Sequence, residues 1–273
     1  MKNTTIVSIV NHKGGCLKTT VTVNLGAALA RAGKKVLLID LDAQQNLTSS
    51  LVGPQEAKEG EMMLLDCICE EVGLDRLIVE TGVSGLDIIP CTEDFMGADL
   101  TLVSAVGRES MLSTCLKKTK RLGEYDFVLM DNPPSISLVV MNSLVASDYF
   151  LVPCSAEYLP MLGLSLLGGS IGRISKLAPR LQSLGVVLTM YSRNERICRT
   201  VENTLRKELG NTLFDSKIRV NTKAKSAPSI RQTIFEYEHS KTGRGTEDFT
   251  ALEAEFLTRL EEREQPLARA ANG

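Results

Sequence analysis

The chain has 273 residues, of which 43% are apolar and 23% charged, and its formal net charge is −2. That length can bury a substantial core, and the composition is that of a globular protein rather than a disordered or fibrous one. The lack of Trp and the 4% aromatic content argue against a base-stacking platform for single-stranded nucleic acid, and the charge excludes a protein that is cationic overall while leaving local basic patches open.

No apolar run approaches the ~18 residues of a membrane-crossing helix. No signal-type segment precedes the first strand, so a cytosolic protein is expected. The seven Cys are odd in number and scattered through the predicted elements, which fits free thiols. Cys67 and Cys69 read as packing residues on a helix, because no second pair with ligand spacing accompanies them.

In chain order, "TTIVSIV" is a short β-branched run suited to a strand buried on both faces. Helical spacing follows from Lys18 to about Arg31 and stops near Gly33. "KVLLID", "LDIIP", "DFVLMD", "YFLVP" and "LGVVLTM" repeat the strand type. Helical stretches lie around Met111–Leu122, Leu138–Ala146, Leu162–Leu177 and Ile197–Leu209, and residues 53–62 read as a polar surface loop. The alternation predicts one α/β domain over residues 1–264, a mostly parallel twisted sheet with helices on both faces. The last helix, from about Thr246 to Glu264, carries an apolar stripe of Phe249, Leu252, Phe256 and Leu260 that reads as core packing, and residues 265–273 form a fraying tail.

Ligands in such sheets bind beyond the carboxyl ends of the strands, where "NHKGG", "DLDAQQN" and "DNPPS" fall. The first of these opens "NHKGGCLKTT", which fails the usual phosphate-loop pattern G-x-x-x-x-G-K-[ST]: His12 and Leu17 stand where glycines are wanted. A phosphate loop nevertheless works through inward-pointing N–H groups and a helix N-terminus. Gly14 and Gly15 supply backbone freedom, Lys18 reaches the β- and γ-phosphates, and Thr19 places its hydroxyl on Mg²⁺.

"KGGCLKTT" resembles the deviant Walker motif, K-G-G-x-x-K-[ST], position for position. "VLLIDLDAQQNLTSSL" and "YDFVLMDNPPS" are similar to the next signatures of the ParA partition ATPases, and "LVPCSAEYLPMLGLSLL", "VLTMYSRNE" and "APS" extend the likeness over nearly the whole chain. The resemblance implies a P-loop NTPase that binds ATP through Lys13, Gly14, Gly15, Cys16, Leu17, Lys18, Thr19 and Thr20. It implies Mg²⁺ on Thr19, with Asp40 and Asp131 acting through water, and a water-positioning role for Asp42. Lys13 would reach the nucleotide of a second copy in an ATP-sandwich homodimer. That dimer would bind double-stranded DNA without sequence preference on the nucleoid and release it on hydrolysis. A ParB-type partner would stimulate this step and so move a chromosome origin, a plasmid or another cargo. No helix-turn-helix precedes "TTIVSIV", so operator-specific repression is not expected.

Two departures stand out. The family usually has Gly where Leu17 stands, and a side chain there fits a loop of negative φ. Where relatives often read I-P-R-N this chain reads "IRVN", so Arg219 occupies the Pro position. From Arg193 through Arg231 there are ten Lys and Arg against four acids, while Glu236 to Glu264 holds nine acids against four bases. Such a patch gives salt-dependent, sequence-blind phosphate contacts, and Arg193, Arg196, Arg219, Lys223 and Lys225 are the expected ones. Three alternatives are a MinD-like membrane-attached ATPase, which the acidic last helix disfavours, a nitrogenase iron protein type, which lacks its cysteines after "DNPPS", and a hydrolysis-poor nucleotide-dependent scaffold.

Overall fold

A computed structural model of the chain describes residues 4–56, 61–135, 137–157, 177–239 and 242–271. One sheet contains β1 (Thr5–Ile9), β2 (Val36–Asp40), β3 (Val79–Glu80), β4 (Leu86–Ile89), β5 (Phe127–Asp131), β6 (Tyr149–Ser155), β7 (Gln182–Tyr191) and β8 (Leu213–Arg219). The order across it is β3-β4-β2-β5-β1-β6-β7-β8, and all neighbours are parallel except β3 and β4. The described helices are α1 (Lys18–Arg31), α2 (Asn46–Leu51), α3 (Leu64–Cys69), α4 (Ala98–Val103), α5 (Met111–Lys118), α6 (Leu138–Val145), α7 (Arg196–Leu209), α8 (Thr222–Ser226), α9 (Ile234–Glu238) and α10 (Arg244–Ala271).

Parallel strands need crossovers, and crossovers put helices on both faces, so the inner strands are apolar at every position. In β2, Val36 and Leu38 join Leu25 and Leu29 of α1 in one core cluster. Leu37 and Ile39 point the other way, into a second cluster with Leu64, Leu112 and Leu116. Gly26 lets α1 lie close to the sheet, since a Cβ there would sit 2.9 Å from Leu38 Cδ2. The stripe Phe249, Leu252, Phe256 and Leu260 of α10 is buried in the first cluster, and the Phe256 ring meets Phe127 edge-on at 5.7 Å. That contact adds specific aromatic packing to the area buried. The core-packing reading of the stripe holds.

Several elements differ from the sequence reading. The edge strands β3 and β8 were not predicted, because an edge strand mixes polar with apolar residues. β8, "LFDSKIR", buries only Leu213, Phe214 and Ile218. The helical stretch from Met111 ends at Lys118 and continues as a tighter turn over Lys120–Glu124. α10 runs to Ala271, beyond the Glu264 at which the expected tail begins. Residues 57–60 of the expected surface loop, and nearly all of the stretch from Leu162 to Leu177, lie outside the described residues. All seven Cys are free thiols.

Candidate nucleotide-binding site

β1 lies between β5 and β6; the chain leaves β1 for β2 on one side of it and later passes from β5 to β6 on the other. That is the switch point at which open α/β sheets hold ligands. The loop from Val10 to Leu17 leaves β1 here, and its shape is fixed by side chains. Asn11 Nδ2 donates to Pro153 O at 2.8 Å, and Asn11 Oδ1 accepts from Lys13 N at 3.0 Å. Thr189 of β7 donates to Cys16 O at 3.0 Å. The Cys16 thiol donates to Lys13 O, and burial pushes its pKa up. Gly14 and Gly15 are exposed, and a Cβ at either would meet nothing within 4 Å, so the space over the loop is open to a ligand.

Leu17 takes the N-cap position of α1 at φ 64° and ψ 31°. The condition under which a side chain is tolerated here, a negative φ, is not met: the residue is left-handed, where a side chain costs roughly 1–2 kcal/mol. Its half-buried side chain packs against the first core cluster, which supplies an opposing gain of about 1–2 kcal/mol. Leu17→Gly is therefore expected to change stability by less than about 1 kcal/mol, from the balance of those two effects. It is also expected to change the rate of hydrolysis or nucleotide exchange through a more pliable loop. Identical rates in both proteins would remove any functional role for Leu17.

The electrostatics of the site point to an anion. α1 has no side-chain cap and no acidic residue in its first turn, so its N–H groups and positive dipole end are uncompensated there. Lys18 opens that turn at 8% exposure. Its ammonium contacts Lys13 O at 3.4 Å and has no ion pair among the described residues. A buried cation with no carboxylate in direct contact is costly; Asp131 acts on it only through space, and a phosphate over the loop would supply a contacting counter-charge. Lys13 lies at the lip of the loop, with Nζ 3.6 Å from Glu157 Oε2.

Next to the loop two carboxylates are fully buried. Asp40 and Asp131 end β2 and β5 and are direct register partners. Thr19 Oγ1 donates to Asp131 Oδ2 at 2.6 Å, and Thr22 Oγ1 lies 3.3 Å from Asp131 Oδ1. Burial, with the neighbouring Asp40 charge adding, raises the Asp131 carboxyl to about 8, against Thr19 and Lys18. Burial likewise raises Asp40 to about 6, opposed by the donors of Thr48 and Asp42. Asp42 is nearly buried, and its Oδ1 accepts from Gln44 N. Among the described residues no three side chains converge as a metal cage. This suits a Mg²⁺ ion, which is usually held by one or two carboxylates together with phosphates and water. Three further buried atoms lack partners where β1, β5 and β6 end: His12 Nδ1, Asn132 Oδ1 and Ser155 Oγ.

A pH dependence follows. Both carboxyls titrate in the folded protein above their ordinary 3.8, so the stability they contribute is complete below that value and is lost as pH rises through about 6 and about 8. With EDTA present, the thermal midpoint is expected to fall between about pH 4 and about pH 8, and Mg²⁺ with nucleotide to offset much of the fall. A midpoint in EDTA that stays level or rises would contradict the burial of both groups.

The structure thus brings together Lys13, Lys18, Thr19, Asp40, Asp42 and Asp131; Thr20 follows Thr19 on α1, its carbonyl accepting from Asn24 Nδ2 at 2.8 Å. Thr22, Thr48, Thr189, Asn11 and Glu157 were not foreseen. Only Thr22 carried a signal, its three-residue spacing from Thr19 on one helix face. The basic residues form a separate surface beyond the ends of β7 and β8. Arg193, Arg196, Lys223 and Lys225 are exposed there and have no ion pair among the described residues. Arg219 differs from the expectation, because its guanidinium lies 2.6 Å from Asp248 and 3.0 Å from Glu247. Arg219 ends β8, and its guanidinium meets the N-terminal turn of α10, where those acids sit.

A family model described as "AAA domain" matches residues 4–183. The chain is 33% identical over 265 residues to the chromosome partitioning protein ParA of Caulobacter vibrioides, covering 96% of this chain and 97% of that one. It is 36% identical over 239 residues to the sporulation initiation inhibitor protein Soj of Bacillus subtilis, covering 87% and 93%. Among solved structures, cobyrinic acid a,c-diamide synthase from Mycobacterium smegmatis with bound ADP and magnesium superposes with a TM-score of 0.74 at 27% identity, covering 87% of this chain and 96% of that one. With a nucleotide loop, paired strand-end carboxylates and relatives matched almost end to end, the chain belongs to the ParA-type partition ATPases.

Proposed function

We propose that the protein is an ATP-dependent positioning ATPase that cycles between a free form and a DNA-bound dimer. The observation that carries the reading is the buried, unpaired ammonium of Lys18 at the uncapped start of α1, beneath an open glycine loop and beside Asp40 and Asp131. In that arrangement the loop N–H groups and Lys18 hold the phosphates of ATP. Thr19, Asp131 and Asp40 orient the shell of Mg²⁺, which supplies charge neutralisation when bound. Asp42 orients the attacking water. Catalysis then comes chiefly from positioning and from fixed charge.

Lys13 is the residue expected to reach the nucleotide of a second copy. Closing two copies over two nucleotides joins two basic surfaces and raises DNA affinity by multivalency, and hydrolysis reverses it on the nucleoid. The DNA surface in this reading rests on Arg193, Arg196, Lys223 and Lys225, with Arg219 held by α10. A ParB-type protein is the expected stimulator. Membrane attachment through the last helix finds no support in the buried stripe of α10, and no described helix is long and apolar enough to cross a membrane.

A second reading, a nucleotide-dependent scaffold with little turnover, is favoured by the left-handed Leu17. Phosphate release measured with and without double-stranded DNA separates the two. Turnover that rises with DNA supports the ATPase cycle, and its absence under both conditions supports the scaffold.

A further inference from the structure

Thr48 has so far been only a donor to Asp40, yet it makes three hydrogen bonds at the heart of the site. It is fully buried in α2. Its backbone N–H donates to Asp40 Oδ2 at 2.9 Å, and its hydroxyl lies 2.6 Å from the same oxygen. The third bond fixes the direction of the second. Cys91 N–H, just past the end of β4, donates to Thr48 Oγ1 at 3.0 Å. A backbone amide can only donate, so one lone pair of the hydroxyl is taken and its single proton is directed at Asp40. With Asp42 N–H donating to Oδ1 at 3.1 Å, Asp40 receives three donors, two of them from one residue. Its carboxylate plane is thereby pinned beside Asp131, its register partner on β5.

We infer that Thr48 is a positioning residue for Mg²⁺: it fixes the rotamer of Asp40 so that the carboxylate presents its remaining lone pairs to the metal's water shell. The inference rests on the metal role proposed for Asp40. It goes beyond that role by assigning the orienting function to a hydroxyl that touches neither nucleotide nor metal. Outer-shell partners of this kind typically change metal affinity 10–100-fold when removed. Thr48 also ties the ends of β2 and β4 to the start of α2, so one hydroxyl registers three elements around the carboxylate.

The test uses the full chain and a fluorescent ATP analogue, with Mg²⁺ titrated while bound-nucleotide fluorescence is read. Thr48→Val keeps the shape and the backbone donor but loses the hydroxyl. It is expected to raise the half-saturating Mg²⁺ concentration about 10-fold, with nucleotide binding in EDTA unchanged. Thr48→Ser, which restores the hydroxyl, is expected to stay within about 2-fold of wild type, as a retained hydrogen bond implies. On an Asp40→Asn background, Thr48→Val is expected to add no further shift, because the group it positions is gone. If Thr48→Val does not fold, Thr48→Ala takes its place in the same titrations. An unchanged Mg²⁺ midpoint, an equal shift in Thr48→Ser, or a full additional shift on the Asp40→Asn background would overturn the inference. A wild type with no Mg²⁺ dependence would instead overturn the metal role of Asp40, and the inference with it.

Discussion

Lys18→Met is expected to weaken nucleotide binding by at least two orders of magnitude while leaving the ligand-free protein at least as stable as the wild type. The two halves of this result come from one fact, the burial of an ammonium whose one direct contact is a carbonyl at 3.4 Å, with Asp131 acting on it only through space. Removing the charge while keeping an unbranched stem preserves the packing of the side chain, and it deletes a desolvation cost that no direct ion pair offsets. Thermal unfolding without ligand should therefore show an unchanged or higher midpoint. With nucleotide, the lost charge-assisted contacts to phosphate are worth about 1.5–3 kcal/mol each, so two of them weaken binding by roughly 150-fold or more. A variant that unfolds early without ligand, or that still binds ATP with near-normal affinity, would show that Lys18 is held by a charge within the chain.

Lys13→Ala should produce a different failure. Lys13 does not shape the loop through its side chain: its backbone carbonyl accepts from Cys16 and Lys18, and its amide donates to Asn11. The ammonium is a third exposed at the lip, near the exposed carboxylate of Glu157, an ion pair of the kind worth at most about 1 kcal/mol. Leaving it for a phosphate on a second copy thus costs little. The variant is expected to bind ATP within a few-fold of wild type, yet to remain monomeric by light scattering with ATP and to release phosphate at no more than about a thousandth of the wild-type rate, the scale set by loss of one charged group in phosphoryl transfer. Normal dimerisation by Lys13→Ala would remove Lys13 from the interface and the trans contact from the mechanism.

What the sequence made legible, and what it hid, divides along physical lines. The inner strands could be read because burial on both faces leaves runs such as "KVLLID" without polar residues. The acids at their ends, Asp40 and Asp131, stand out against those runs. β8 stayed hidden because its outer edge requires polar side chains, and β3 because two residues carry no period. The φ of Leu17 could not be read, since leucine gives no signal of a left-handed turn that tertiary packing imposes. The pairing of Arg219 could not be read because charge counted along the chain ignores partners distant in sequence, here Glu247 and Asp248. Thr48 was invisible for the same reason: its significance lies in Asp40, eight residues back, and Cys91, forty-three residues on.

The central claim is that nucleotide state controls attachment to DNA, and the most direct test is binding of the purified protein to double-stranded DNA with ATP, with ADP and without nucleotide, across a salt series. Binding that requires ATP, is indifferent to DNA sequence and weakens steeply as salt rises is the predicted result, since several phosphate contacts are made at once. Equal binding in all three states, or none in any of them, would contradict the account.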